Sequence, residues 1–498
     1  MYKKESKKVI MGNLPLFLDN TLNPNNRWVK LSSIVPWDIV EEIYSDKFVS
    51  KRGPKALSSR IAFGSLIIQV KLNLTDAETV NQIRENPYLQ YFIGLEKYED
   101  EAPFDSSMMT HFRKRLNMSD IKEIDSFLHD LKKSKEEKSK NEKSDDDESG
   151  NKGKLIIDAT CAPADIHYPT DLGLLNKARE KTEKMIDILW QTRSNKKNKI
   201  KPRAYRKKGR SSFTAIIKQK RTSKAKLRGA LRIQLSCIKR NLQSIYNLSQ
   251  YSDLTELGVQ LYKDLFVIQT LYLQQQEMFD KKIRSVDNRI VSINQPHVRP
   301  IIRGKAAAKT EFGAKVSISL VDDWSFVDTI SFDAYNEGSE LQEQIEKYKE
   351  RFGCYPESVH VDKIYRNRNN RLFCKENEIR ISGPKLGRPV KNENKLKEQR
   401  LQEYEDEGVR NSVEGRFGVG KRKYSLDKIM TKLKETSETV IALIFMIMNL
   451  DVILQVVCLR FSMITIAYNQ IWGVIRKAFD GYIVKNEGPF YLKIKKTI

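Results

Sequence analysis

The sequence predicts an α/β protein with a central sheet, preceded by an all-helical unit. Three observations predict it. Apolar residues recur at helical spacing over residues 28–130 and again from 172 to about 290. Short β-branched runs at 154–158, 311–333, 358–362 and 378–384 have the length and alternation of strands. Their order is strand, long helical insert, two antiparallel strands, helix, strand, short strand, helices, an order that suits one mixed sheet rather than an all-helical bundle.

The 498 residues divide into a helical N-terminal unit at 1–131, a charged linker at 132–153, an α/β domain at 154–480 with a helical insertion at about 172–300, and a tail at 481–498. In the first unit, Ser58 and Ser59 are good N-cap types ahead of "RIAFGSLIIQVKL". Thr75 with Glu78 forms a capping-box pattern ahead of "VNQIREN". The unit ends in a basic helix, "DSSMMTHFRKRL", whose Arg113, Lys114 and Arg115 are candidates for a DNA groove; an ordinary solvated face is the alternative. The linker "KKSKEEKSKNEKSDDDESGNKGK" has no large apolar residue and reads as disordered.

Beyond the linker, "KLIID" predicts a strand that delivers Asp158 at its tip, and "ESVHVD" predicts one that delivers Asp362 in the same way. Asp322 and Asp323 make the turn of a hairpin, and Gly353 ends a helix. A charged helix then carries Glu414. The apolar run at 440–459 is interrupted by Asp451, a costly residue at a bilayer centre, so it reads as a buried helix pair rather than a membrane span.

Charge bounds the function. With 89 Lys+Arg against 64 Asp+Glu, the formal net charge is +25, which points to a polyanionic partner. "RSNKKNKIKPRAYRKKGR" at 193–210 is a dense basic stretch suited to a phosphate backbone. Five cysteines, at 161, 237, 354, 374 and 458, show no C-x-x-C spacing, so neither a zinc site nor a disulfide framework is indicated. "MYKKESKK" lacks the apolar segment of a secretory signal. "GPKLGRP" lacks P-loop spacing and reads as a basic loop near the cleft.

Two strand-end acids on neighbouring strands would emerge at one sheet edge, with Glu414 on a helix packed against it. Mg²⁺ takes one or two carboxylates and completes its shell with water and phosphate oxygens. Three acids can hold two ions roughly 3.5–4 Å apart, which suits in-line attack on a phosphodiester. Strand-end aspartates are also common surface features, so spacing alone does not decide. Arg410, Glu414 and Lys421 lie four and seven residues apart and share one helix face, where the cations suit DNA phosphates.

These residues carry a resemblance. Arg-x3-Glu-x6-Lys at 410–421, "IIDATCAPADIHYPTDLGLLNKARE" and "VHVDKIYRNRNNRLFCKENEIRISGPKLGRP" resemble the glutamate, first-aspartate and second-aspartate regions of bacterial insertion-sequence DDE transposases. "WDIVEEIYSDKFVSKRGPKALSSRIAFGSLIIQ" with "FDSSMMTHFRKRL" resembles the InsH-type N-terminal transposase domain. The resemblance implies an RNase H-like catalytic core, Asp158, Asp362 and Glu414 as catalytic ligands of Mg²⁺ with Mn²⁺ as a substitute, and Arg410 and Lys421 on DNA. It implies double-stranded DNA partners (terminal inverted repeats and target), a homodimer at synapsis, no membrane, and a cytoplasmic, nucleoid-associated site of action. There are departures: Glu407 stands where the fuller signature has Tyr, with Tyr404 one turn earlier, and Ile364 precedes Tyr365 where many relatives have Gly, so position 364 must avoid positive φ. Two rival readings are a metal-dependent endonuclease without strand transfer and a non-catalytic DNA-binding protein derived from a transposon.

Overall fold

The computed structural model describes residues 22–48, 55–140, 150–193, 200–302, 310–384 and 393–457. The N-terminal residues, part of the 132–153 linker, part of the 193–210 and 383–389 basic stretches, Cys458 and the 481–498 tail lie outside them.

The first unit is helical throughout: α1 (Arg27–Ile34), α2 (Trp37–Ser45), α3 (Ser59–Leu72), α4 (Asp76–Glu85), α5 (Pro87–Phe92), α6 (Met108–Arg115) and α7 (Met118–Lys140). Ser58 Oγ caps α3 and Thr75 Oγ1 accepts from Glu78 N–H, as their spacing predicts. Two features depart from expectation. The basic helix α6 is not the last of the unit, because α7 follows it. And α7 runs on to Lys140, into the predicted linker, since Lys and Glu are good helix formers.

Arg113 is also corrected. Its side chain is buried and donates to both carboxylate oxygens of Asp76, at 2.9 and 2.6 Å, and to Gln69. It ties α6 to α3 and α4 instead of facing a groove. Arg115 lies half-buried over the Phe48 ring, while Lys114 is exposed.

The sheet contains β1 (Lys154–Pro163), β2 (Arg299–Ile302), β3 (Thr310–Val321), β4 (Trp324–Ser331), β5 (Ser358–His360) and β6 (Arg380–Ile381). Its order is β2-β3-β1-β5-β6, with β4 also on β3; β3 is antiparallel to β1, β2 and β4, whereas β5 is parallel to β1 and to β6. Asp322 and Asp323 form the two-residue turn between β3 and β4, both at positive φ, the geometry that matches strand twist in a tight hairpin. Strand β2 stands where the sequence suggested only the end of the helical insert.

Between β1 and β2 the chain forms α8 (Asp171–Thr192), α9 (Arg206–Ile217), α10 (Lys224–Ser249) and α11 (Gly258–Lys281). Leu175, Met185, Ile186, Leu189, Ile238 and Ile268 give this insertion a hydrophobic core of its own. After β4 come α12 (Leu341–Phe352), ended by Gly353 at φ 78°, then α13 (Arg368–Glu376) and α14 (Glu393–Lys423). One uninterrupted helix, α15 (Lys434–Val457), replaces the expected pair. No Gly or Pro breaks it. It is long and apolar enough to cross a membrane, but most of it is buried in the core.

The helical unit is not held apart from the sheet. Both contribute to a single hydrophobic core. His129 of α7 packs its ring against Trp324, Phe326 and Phe352. Asp125 of α7, buried and pushed up to about 7 by that burial, accepts from Asn449 of α15 at 2.9 Å. Asp451, the acid that argued against a membrane span, pairs with Lys71 of α3 and Lys423 of α14.

Arg113→Ala is expected to lower stability by about 2 kcal/mol, by stranding the half-exposed Asp76. Lys114→Ala should leave it unchanged. Thermal melts of the two variants distinguish an inward tie from a groove contact.

Candidate functional site

Asp158 does not end its strand; β1 continues to Pro163. It sits mid-strand because β3 pairs with the whole of 156–163, with Asp158 opposite Ile318. Its position relative to Asp362 comes from the other neighbour. In the parallel pairing of β1 with β5, Ile156 lies beside His360. Two residues further along each chain come Asp158, still in β1, and Asp362, just past the end of β5, close enough for each charge to act on the other.

Asp362 then leaves the sheet. Its carboxylate accepts from Lys363 N–H at 2.7 Å and caps a 3₁₀ turn over Lys363–Tyr365. Ile364 takes that helical turn without positive φ, so the departure from Gly costs the backbone nothing.

The helix α14 packs against β1 and β5. Val413 and Phe417 are buried against the core, each contributing roughly 1.5–3 kcal/mol. Asp406 fixes the helix lengthwise. It receives both guanidinium nitrogens of Arg380 on β6, at 2.8 and 2.9 Å, and lies 3.6 Å from Nδ1 of buried His360. His360 is thus a packing partner of α14 beneath the two acids. One turn beyond Asp406, Arg410 places Nη1 3.5 Å from Asp362 Oδ1 and Nη2 4.0 Å from Glu414 Oε1. A single guanidinium therefore spans the second aspartate and the glutamate. Glu414 is exposed, and Lys421 is half-buried two turns on.

The sheet edge thus gathers Asp158, Asp362, Arg410 and Glu414. It does not bring three acids to one point: among the described residues no three His, Cys, Asp or Glu are arranged to hold a metal ion. Two of the three acids, Asp362 and Glu414, meet instead through the guanidinium of Arg410.

One further acid, Glu337, was missed. It begins the short turn Glu337–Ser339 and pairs with Lys315 of β3 at 2.8 Å. Gly338 behind it packs on the Ile364 carbonyl and accepts from Asn367 and Asn370, which holds this turn against the one after Asp362. No spacing rule singles it out. Burial drives the Asp158 carboxyl up to about 6; the Ala159 N–H opposes this, the charges of Glu337 and Asp362 add to it, and Arg410 relieves part. Such crowded negative charge suits a hard cation. Carboxylates of this kind are what a hard divalent cation takes, the rest of its shell being completed by other oxygens. Asp165, by contrast, pairs with Lys428 outside this group.

The folded-state value of Asp158 lies above its unfolded value of roughly 4. Ionising it in the fold is therefore unfavourable, and the cost is absent below about pH 4 and grows as pH rises through about 6. In a metal-free buffer, Asp158→Asn should be more stable than the parent at pH 8, by roughly 2–3 kcal/mol, and the gap should close between pH 6 and 4. Denaturation midpoints across that range measure it; equal stability at pH 8 would contradict the buried charge.

A family model described as "Transposase DDE domain" matches residues 359–451, which include Asp362, Arg410, Glu414 and Lys421 but not Asp158. A second, described as "Transposase domain (DUF772)", matches residues 16–115. A protein of Rhizobium meliloti named "Uncharacterized protein ORF8 in nfe locus" is 32% identical over 161 residues, which is 32% of this chain and 73% of that protein. No solved structure matches.

Proposed function

Because the chain belongs to the insertion-sequence DDE transposases, we propose that it cuts the ends of an insertion sequence and joins the freed 3′ hydroxyls to target DNA, using Asp158, Asp362 and Glu414. The observation that carries this reading is the parallel register of Ile156 with His360, which sets Asp158 of β1 beside Asp362 just past the end of β5, with Arg410 linking Asp362 to Glu414. The strand order β4-β3-β1-β5-β6, antiparallel on one side of β1 and parallel on the other, supports an RNase H-like core with its helical insertion after the first strand.

Asp158 and Asp362 would hold a divalent cation, Mg²⁺ or in its place Mn²⁺, and Glu414 would complete the set once Arg410 turns to a DNA phosphate. When bound, the metal activates a water or 3′ hydroxyl and stabilises the leaving oxygen. The remaining steps belong to the chain. Arg410 neutralises the acids while DNA is absent and exchanges Asp362 and Glu414 for a phosphate when DNA enters, a partner its planar fork suits. Lys421, two turns along α14, would hold the flanking backbone. Lys114, exposed on α6, is the basic residue of that helix best placed to meet an inverted repeat. Joining two ends requires two active sites, so the working form would be a homodimer on paired DNA at the nucleoid.

Asp158→Ala, Asp362→Ala and Glu414→Ala should each reduce Mg²⁺-dependent cleavage and strand transfer on paired end sequences by about 10³-fold or more, with DNA binding retained. Cleavage of wild-type substrate without joined product would favour the endonuclease reading. Activity surviving Asp158→Ala would end the assignment. An independent readout is thermal shift: Mg²⁺ should raise the melting temperature of the parent and not of Asp158→Asn.

A further inference from the structure

The positive charge of this protein is not evenly spread. Between Asp187 and Asp253 there are 65 residues with nineteen Lys and Arg and not one Asp or Glu. That stretch accounts for +19 of the net +25. It includes α9, the turn after it and α10.

Most of the described Lys and Arg side chains there face solvent. Lys207, Lys208, Arg210, Lys218, Lys220, Arg221, Lys224 and Lys226 are all exposed, and among the described residues none of them has an ion-pair partner. Arg206 at the root of α9 is anchored, bonded to Asp187 at 2.6 Å. Along α10, Lys224, Arg228, Arg232 and Lys239 recur near helical spacing, a row roughly 22 Å long. Arg240 lies 4.2 Å over the Tyr205 ring at the entry to α9, so the two cationic segments adjoin.

A merely solubilising charge would coat the whole insertion. It does not. On α11, in the same helical unit, the exposed side carries Val259, Tyr262, Phe266 and Leu273, and the helix includes Asp264, Glu277 and Asp280. The unit is polarised, with one wall cationic and free of acids. Keeping eleven or more like charges together costs self-repulsion, which a polyanion relieves. The side chains are Lys and Arg on helices, with few exposed aromatics between them, a pattern that meets phosphates rather than stacks unpaired bases.

We propose that α9 and the exposed side of α10 form a second DNA-binding surface, separate from the acidic sheet edge, which holds the backbone of duplex DNA without reading its sequence. This rests on the reading of DNA as the substrate. It assigns the helical insertion the task of holding duplex, either flanking or target, while the acids act elsewhere on it.

The test uses the full chain carrying Asp158→Ala in EDTA, so that binding is read without cleavage. Affinity for a random-sequence duplex about three helical turns long is measured between roughly 50 and 200 mM salt. Replacing Lys207, Lys208, Arg210, Lys218 and Lys220 by Gln should weaken binding at least about tenfold and flatten the log–log salt slope by about 3 to 4.5, since each lost phosphate contact removes roughly 0.9 and three to five of these cations would make one. The melting temperature should not change. Should that variant fold poorly, Lys224→Gln with Arg232→Gln and Lys239→Gln removes the α10 row and should flatten the slope in the same direction. Unchanged affinity and slope in a folded variant overturn the proposal. So does a variant that loses affinity for single-stranded RNA while keeping it for duplex DNA. Either failure leaves Mg²⁺-dependent cleavage by the parent chain untouched, whereas failure of the transposase reading appears as no cleavage by the parent itself.

Discussion

The parallel pairing of β1 with β5 is the constraint on which the site depends. Asp158 and Asp362 are 204 residues apart in the chain, and only the register of Ile156 with His360 sets them beside each other. A slip of one residue would send one carboxylate to the opposite face of the sheet. The insertion that separates them folds around its own core and returns to the sheet as β2, so its length does not disturb the pairing. The helix that brings Glu414 is located from below, by Asp406 with Arg380 and His360, and from within, by Val413 and Phe417.

The site is electrostatically unfinished, and its arrangement follows from that. Asp158, Glu337 and Asp362 crowd negative charge at one edge, against Lys315 and Arg410. Arg410 contacts two carboxylates at 3.5 and 4.0 Å, looser than the bidentate bond of Arg380 with Asp406 at 2.8 and 2.9 Å. The Arg380–Asp406 pair has the short bidentate geometry of a strong charge-assisted bond; the Arg410 contacts do not.

Charges inside the core do a different task. Asp451 accepts from Lys71, Lys423 and Tyr424, and Asp125 from Asn449, which also accepts from Arg416. These contacts join the N-terminal helices to α14 and α15. A buried charge stripped of one partner is expensive, so the helical unit and the sheet are held in one relative position. Through Arg416, two residues from Glu414, that position reaches the acidic edge.

Local order was legible in the sequence. Ser58, Thr75, the Asp322–Asp323 turn and the Gly353 cap act through neighbours a few residues away, and spacing alone specifies them. The net charge of +25 and the acids at 158, 362 and 414 likewise belong to the sequence. What depended on partners distant in the chain was decided only by the fold. Arg113 reads as a groove contact until Asp76 is placed beside it, Asp158 as a strand end until β3 extends the pairing, and Glu337 as a loop acid until the turn after Asp362 packs on Gly338. The physical reason is that a side chain's charge and capping preference are properties of a short segment, whereas its burial and its neighbours are properties of the packed whole.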